Sequence, residues 1–321
     1  MRLQCETVDQ ERRSFCSVAA MAIGVAQLTR PGTTEASAHT EAHLGAGISP
    51  TSRDIAATKQ IQAGVLNVGY LDIGAPSGAP VLLLHGWPYD IHAFADVAPM
   101  LAAAGYRVIV PHLRGFGSTR FVSAATPRNG QQVVLAIDMV ALLDALKIPR
   151  AILAGFDWGA RTANIIAALW PERCKALVSV SGYLIGSQKA SRAPLAPKAE
   201  LAWWYQYYFA TERGRDGYAA HRHDFAKLVW QMASPRWRFD DATLARSVRS
   251  LENPDHVAIV IDNYRWRLGL TKGEARFDAL EARLATGPLI TIPTITLEGD
   301  ANGAPHPEPA AYAGKFSGKY A

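Results

Sequence analysis

The sequence of 321 residues predicts an α/β fold with a mainly parallel β-sheet that is flanked by helices. Two observations lead to this expectation. Between residues 61 and 182, short apolar runs alternate with helix-like segments, and buried strands that alternate with helices form parallel sheets covered on both faces. A long interval without such apolar runs then precedes one final strand candidate, which indicates an all-helical insertion into the same fold.

The strand candidates are short and rich in apolar residues. Val65–Asp72 alternates as a half-buried strand does, whereas the remaining candidates are continuously apolar, as strands buried on both faces are. These continuous runs are Pro80–Leu84, Tyr106–Val110, Ala151–Ala154, Ala176–Val180 and Ile292–Leu297. The helices predicted between the earlier runs are His92–Ala104, Gly130–Leu146 and Gly159–Trp170.

The interval between Gly182 and Pro293 contains only candidate helices. They are Lys198–Thr211, Gly217–Ala233, Asp240–Leu251, Pro254–Leu268 and Glu274–Leu284. Because open α/β sheets bind ligands at the carboxyl ends of their strands, we expect this insertion to cover that edge as a lid. The sequence thus predicts a core over residues 56–183, a helical cap over 184–286 and the C-terminal part of the core over 287–321.

Composition and charge exclude several function classes. The net charge of +5 is modest for this length and favours a solvated surface over a nucleic-acid site. The three cysteines have no spacing typical of a zinc site. Gly115-Phe116-Gly117 lacks the flanking glycine of a dinucleotide fingerprint. We therefore expect neither a cofactor nor a metal, and no nucleic-acid partner.

The N-terminal residues differ in character from the rest of the chain. Arg12 and Arg13 precede the short apolar run Cys16–Leu28, and small residues follow at 36–38, which is the pattern of a twin-arginine-like export signal. The run is too short to span a bilayer comfortably, so we expect no membrane segment in the mature form. Residues 1–55 are therefore predicted to be signal and linker, and the protein periplasmic or secreted. The alternative is an N-terminal extension, or a wrongly assigned start, on a cytoplasmic protein.

The strongest catalytic candidate is Asp157, in the run Gly155-Phe156-Asp157-Trp158-Gly159. Glycines two positions before and after an attacking residue allow a tight strand-to-helix turn, which is the nucleophile-elbow pattern G-x-S-x-G with aspartate in the place of serine. An aspartate can attack carbon directly and form an ester without first losing a proton. The alternative is an aspartate that caps a helix in an ordinary turn.

Two further loops strengthen the catalytic interpretation. His85-Gly86-Trp87-Pro88 directly follows an apolar strand candidate, and Arg114-Gly115-Phe116-Gly117-Ser118 follows the next one. With these loops and the elbow in this order, the chain from about residue 64 onward resembles α/β-hydrolases of the epoxide hydrolase and haloalkane dehalogenase branch. One departure is His112, which stands where that pattern usually has an aspartate.

The resemblance implies roles for the residues of both loops. Asp157 would be the nucleophile, and the backbone N–H groups of Trp87 and Trp158 would form the oxyanion hole. His85 would brace the loop with its ring rather than take part in catalysis. A His–acid pair would activate the water that hydrolyses the ester.

The resemblance also indicates which branch of the family the chain belongs to. Tyr205 and Tyr264 are similar to the two lid tyrosines with which epoxide hydrolases protonate the epoxide oxygen, and a tyrosine remains a donor at neutral pH. Epoxide hydrolysis to a diol is therefore the leading function, with a small apolar electrophile as substrate. A haloalkane dehalogenase is the alternative, because Trp158 would serve either reaction; both tyrosines could also be simple core residues of the lid. A homodimer is left open.

The resemblance implies an acid after the strand Ile292–Leu297 and a histidine after one more strand. Asp300 is the predicted acid, although Asn302 occupies the position that the family pattern gives to this residue. His306 precedes the missing strand, and we expect it to be a loop residue. The chain is therefore expected to be truncated before the catalytic histidine. The alternative function is then a catalytically impaired relic that binds small apolar ligands.

Overall fold

The computed structural model describes residues 58–304 and 306–321. The predicted signal and linker lie outside these residues. Eight strands form one sheet, namely β1 (Lys59–Ala63), β2 (Leu66–Ile73), β3 (Pro80–Leu84), β4 (Arg107–Pro111), β5 (Arg120–Phe121), β6 (Ala151–Gly155), β7 (Cys174–Val180) and β8 (Thr294–Leu297).

The sheet is mixed at one side and parallel over the rest. Its order is β1-β2-β4-β3-β6-β7-β8, and the short β5 pairs with β2. β2 runs antiparallel to its neighbours β1, β4 and β5, whereas β4, β3, β6, β7 and β8 pair in parallel. The mainly parallel sheet is therefore confirmed. Because these strands are parallel, their carboxyl ends meet at one edge of the sheet, and the loops that follow them lie there.

Helices cover the two faces of the sheet and the edge above it. In chain order they are α1 (Val97–Ala103), α2 (Gln132–Ala145), α3 (Trp158–Leu169), α4 (Gln188–Ser191), α5 (Pro197–Ala202), α6 (Trp204–Phe209), α7 (Glu212–Ala220), α8 (Arg222–Ala233), α9 (Asp241–Val248), α10 (His256–Arg267), α11 (Asp278–Ala285) and α12 (Pro309–Tyr312). The described helices are all too short or too polar to cross a membrane.

The continuous apolar strands are explained by two buried layers. In β3, Leu82 and Leu84 join one hydrophobic cluster, while Val81 and Leu83 join a second cluster on the opposite face. Successive side chains of a strand point to opposite faces, so a strand buried on both sides must be apolar at every position. Leu101 of α1 packs in the second cluster, and Leu142 of α2 packs in the first.

The chain leaves the sheet after β7 and returns at β8, and α4–α11 lie between. Two single helices predicted in this region are each broken in the structure. Trp203 adopts φ −106° and ψ 25° between α5 and α6, and His221 adopts φ −128° and ψ 35° between α7 and α8. The break at His221 brings Tyr218 of α7 and Phe225 of α8 to within 5.2 Å of each other, ring centroid to ring centroid.

The last described residues return to the sheet beside β8. Thr294 donates to the carbonyl of Lys319 at 2.8 Å, and the N–H of Ala321 donates to the carbonyl of Thr294 at 3.1 Å. Tyr320 thereby forms a parallel bridge with Thr294. Lys319 and Tyr320 therefore lie beside β8.

Candidate active site

Asp157 occupies a sharp turn between β6 and α3. Its backbone has φ 52° and ψ −120°, a conformation that a residue with a side chain rarely adopts. A Cβ on Gly159 would lie 1.9 Å from the carbonyl oxygen of Leu84, and one on Gly155 would lie 2.6 Å from the carbonyl carbon of Gly159. The flanking glycines are therefore required by the close approach of the elbow to itself and to β3.

The loop after β3 holds one oxygen of the Asp157 carboxylate. The backbone N–H of Trp87 donates to Oδ1 of Asp157 at 2.8 Å. This approach depends on Gly86, since a Cβ there would lie 2.4 Å from the Cβ of Asp157. Trp158 begins α3, and the first N–H groups of a helix have no partner within it. The two predicted oxyanion donors therefore flank Asp157, and the contact of Trp87 with its carboxylate is direct.

His85 lies beneath this loop and is fully buried. Its Nδ1 donates to the carbonyl of Gly86 at 3.0 Å, and its Nε2 accepts the N–H of Leu113 at 3.2 Å. Burial lowers the pKa of His85, so the ring stays neutral, as this arrangement of one donor and one acceptor requires. The ring therefore joins the loop after β3 to the loop after β4.

A buried hydrogen-bond chain, which the sequence did not reveal, connects the Trp87 loop to the cap. The indole Nε1 of Trp87 donates to Oη of Tyr218 at 2.8 Å, and this hydroxyl lies 2.7 Å from Nε2 of His256. Nδ1 of His256 lies 2.8 Å from the carbonyl of Gly115, which can only accept. His256 therefore carries its proton on Nδ1 and accepts from Tyr218 on Nε2. Burial lowers the pKa of His256 to about 3, which keeps it in this neutral form.

The two predicted lid tyrosines lie together near Asp157. The ring centroids of Tyr205 and Tyr264 are 5.5 Å apart, and both rings contact Trp87, at 5.1 and 5.4 Å. Burial, and next the charge of Asp157, raises the pKa of Tyr205 to about 12. Burial and the neighbouring Tyr205 and Asp157 raise the pKa of Tyr264 well above its ordinary value. Both hydroxyls therefore keep their protons at neutral pH and can donate.

Further aromatic side chains lie around the elbow that carries Asp157. Tyr89, which follows the His85–Pro88 loop and was not singled out from the sequence, stacks on Trp230 at 5.0 Å and contacts Phe156 at 5.4 Å. The indole Nε1 of Trp158 is buried without a hydrogen-bond partner among the described residues. A bound molecule that accepts a hydrogen bond would satisfy this donor.

Two arginines also lie close to Asp157, and the sequence analysis assigned a role to neither. Arg161 follows Asp157 by one turn of α3, and its N–H donates to the carbonyl of Asp157 at 3.0 Å. Arg267, at the end of α10, has its guanidinium carbon 5.5 Å from the ring centroid of Tyr264. Burial and the like charge of Arg267 lower the pKa of Arg161 to about 10, so its side chain remains cationic at neutral pH.

The acids after β8 are placed differently from one another. Asp300 is exposed over 92% of its side chain and lies 3.6 Å from Nη1 of Arg236. Glu298 is half-buried, accepts from the hydroxyl of Tyr312 and lies 3.5 Å from Nε2 of His306. Nδ1 of His306 contacts the carbonyl of Ala304 at 3.0 Å, within the same loop. Asp300 therefore remains a prediction from the sequence, and Glu298 is the more enclosed carboxylate.

No group of three His, Cys, Asp or Glu side chains in residues 58–304 and 306–321 is arranged to hold a metal ion. Around Asp157, side chains and backbone amides are available for chemistry. The arrangement consists of a carboxylate with one oxygen held, two protonated tyrosines and an apolar aromatic wall.

Comparisons with known proteins agree with this arrangement. The family described as alpha/beta hydrolase fold matches residues 79–256. Epoxide hydrolase B of Mycobacterium tuberculosis is 36% identical over 149 residues, which are 43% of this chain and 41% of that protein. A haloalkane dehalogenase of Psychrobacter cryohalolentis is 38% identical over 108 residues, which are 34% of this chain and 35% of that protein. The matched segments thus cover less than half the length of these curated relatives.

A solved structure provides a longer match. A Klebsiella pneumoniae protein that is provisionally described as an epoxide hydrolase is 66% identical, with a TM-score of 0.82. The alignment covers 82% of this chain and 87% of that one. The similarity therefore extends over the sheet and the cap together, and not only over the elbow.

Proposed function

Because this chain belongs to the α/β-hydrolase fold family, we propose that it hydrolyses epoxides to diols through an ester formed on Asp157. One observation carries the proposal. The Asp157 carboxylate, with Oδ1 held by the N–H of Trp87, lies close enough to Tyr205 and Tyr264 for its charge to act on both, and their raised pKa values keep them protonated. A nucleophile and two proton donors are thus grouped beneath the cap, among aromatic side chains suited to a small apolar electrophile.

The first half-reaction opens the epoxide ring. Oδ2 of Asp157 attacks one ring carbon, the bond from that carbon to the ring oxygen breaks, and the oxygen takes its proton from Tyr205 or Tyr264. The products are a hydroxyalkyl ester on Asp157 and one tyrosinate. Proton donation by a positioned side chain contributes about 10²–10⁴ to such a rate.

The second half-reaction releases the diol. Water adds to the carbonyl carbon of the ester, and negative charge develops on Oδ1, where the N–H groups of Trp87 and Trp158 are available. Collapse of this intermediate returns the carboxylate and frees the diol, and the proton lost by water replaces the one given up by tyrosine. One such backbone donor is typically worth about 10²–10³ in rate.

The test follows the ester and the diol separately. The protein is incubated with styrene oxide, and we measure its intact mass, the adduct site by peptide mapping, and the diol released. We expect an adduct at Asp157 or steady diol formation, with both abolished by Asp157→Ala. Asp216→Ala, an exposed acid on α7, is the matched control and should behave as the unmutated chain does. Neither adduct nor diol from a folded sample, or equal product from Asp157→Ala, would contradict the proposal.

Dehalogenation of small alkyl halides is a second candidate, and one observation favours it. The unpartnered indole Nε1 of Trp158 could donate to a departing halide next to Asp157. Halide release from 1-bromobutane distinguishes the two reactions. Release that depends on both Asp157 and Trp158, without diol from styrene oxide, would favour this second function.

A further inference from the structure

A pocket lined by Arg161, which follows Asp157 by one turn of α3, has a positively charged lining that the proposed reaction does not use. It lies between α2, α3, the loop after β7 and the end of α10. The side chains that give it its character are those of Gln132, Arg161, Ser187, Ser191, Trp266 and Arg267. Two of them are cationic, and no acidic residue lines the pocket. The pocket is therefore suited to an anion.

Neither arginine has a carboxylate partner within the part of the chain that the structure describes. Arg161 donates from Nε to the carbonyl of Leu184 at 3.2 Å, and Arg267 lies against the ring of Tyr264. Several other buried or half-buried arginines pair with a carboxylate. The pairs are Arg114 with Asp138 at 2.6 Å, Arg107 with Asp72 at 3.0 Å and Arg128 with Asp255 at 2.8 Å. Since charges taken out of water are normally paired, an unpaired couple lining one pocket indicates a missing anion.

Glu281, which contacts the lining residue Gln132, does not neutralise these two arginines. Glu281 accepts from Gln132 Nε2 at 2.9 Å, from Gln131 Nε2 at 3.2 Å and from the N–H of Val133 at 3.1 Å. Its carboxylate is thus occupied by neutral donors. Asp157 is the acid whose charge acts on Arg161, and it is also the nucleophile.

The two arginines act on the same reactive groups. Both lower the pKa values of Tyr205 and Tyr264, which means that all four side chains share one electrostatic environment with Asp157. Two guanidinium charges and one carboxylate leave a net charge of about +1 in this environment, which a single carboxylate on a substrate would neutralise. Guanidinium groups also match a carboxylate geometrically, because they donate two parallel hydrogen bonds.

We propose that Arg161 and Arg267 form a subsite for a carboxylate carried by the substrate, so that the preferred epoxide is an epoxy acid rather than a neutral one. That the substrate carries an epoxide rests on the proposed function. The subsite itself can be tested without turnover. Ser187 and Ser191 lie at the same pocket and offer hydroxyl groups to the second carboxylate oxygen.

The first experiment measures binding of an unreactive carboxylate. Calorimetry with 3-phenylpropanoate and with its neutral amide should show that the acid binds and that the amide binds roughly tenfold more weakly or not at all. Arg267→Met should weaken binding of the acid roughly tenfold and leave the amide unchanged. Arg238→Met, an exposed arginine remote from the pocket, is the matched control. Arg161→Met should likewise weaken binding of the acid. If that variant does not fold, Arg161→Lys, which keeps the charge, takes its place.

The second experiment measures turnover of 3-phenylglycidate against 3-phenylglycidamide. We expect the acid to have the higher kcat/KM, and Arg267→Met to remove this preference chiefly through KM. Equal binding of acid and amide, no binding of either, or unchanged binding in the arginine variants would overturn the subsite. Carboxylate binding that depends on the arginines, without adduct or diol from any epoxide, would instead overturn only the proposed function.

Discussion

The backbone N–H of Trp87 donates to Oδ1 of Asp157 at 2.8 Å, although the two residues are 70 positions apart in sequence. The contact divides the carboxylate into an oxygen that is held and an oxygen that is free to attack. A charge-assisted hydrogen bond of this kind is stronger than a neutral one, so it also orients the nucleophile. The side chain of the same tryptophan is in turn held by the cap through Tyr218.

Gly86→Ala, which adds a single methyl group, should disrupt this contact. The new Cβ would lie 2.4 Å from the Cβ of Asp157, so the loop and the nucleophile must separate. We expect hydrolysis of the ester formed with styrene oxide to slow about 10²-fold, the typical value of one oxyanion donor. Gly314→Ala is the control, because a Cβ there meets nothing within 4 Å. An unchanged rate in Gly86→Ala would show that the Trp87 contact is dispensable.

Tyr218→Phe should loosen the Trp87 loop from the cap. The substitution leaves the buried Nε1 of Trp87 and Nε2 of His256 without partners, and each such group costs about 1–3 kcal/mol. We expect a loss of roughly 2–4 kcal/mol in the free energy of unfolding, measured with urea, together with slower ester formation. Tyr208→Phe is the matched variant, since its hydroxyl makes no hydrogen bond within the described residues. Equal stability of the two variants would contradict this prediction.

The raised pKa of Tyr205 predicts how stability and activity depend on pH. An unfolded tyrosine ionises near pH 10, whereas Tyr205 in the folded protein ionises at about pH 12. The unfolded state therefore loses protons first, and the free energy of unfolding should fall as the pH rises from 10 towards 12. Ester formation should not decline through an ionisation near pH 10, because the donor is still protonated there. Tyr205→Phe should make this fall in stability less steep, and an alkaline loss of activity centred near pH 10 would be inconsistent with Tyr205 as donor.

The two acids after β8 should respond differently to neutralisation. Asp300→Asn removes an exposed charge and should change the free energy of unfolding by less than about 0.5 kcal/mol. Glu298→Gln weakens a half-buried contact with Tyr312 and should cost about 1–2 kcal/mol. Urea unfolding measures both values. A diol rate that falls in Asp300→Asn while ester formation persists would support Asp300 as the acid that the sequence predicts.

The sequence predicts a large part of the fold because the relevant signals are local. A strand buried on both faces must be apolar at every position, and Pro80–Leu84 coincides with β3. The elbow is likewise local, since Gly155 and Gly159 are needed within one turn of Asp157. The breaks at Trp203 and His221 were missed because tertiary packing overrides local helix preference.

The convergence of distant side chains was decided by the tertiary structure alone. An arginine four positions after a nucleophile has no predictable partner from its sequence, and only the packing of α10 against the core brings Arg267 into the same pocket. The chain from Trp87 through Tyr218 to His256 has the same origin, because each hydrogen bond joins segments far apart in sequence. Sequence patterns report periodicity and steric need over a few residues, whereas charge compensation and hydrogen-bond direction depend on which segments the whole fold places in contact.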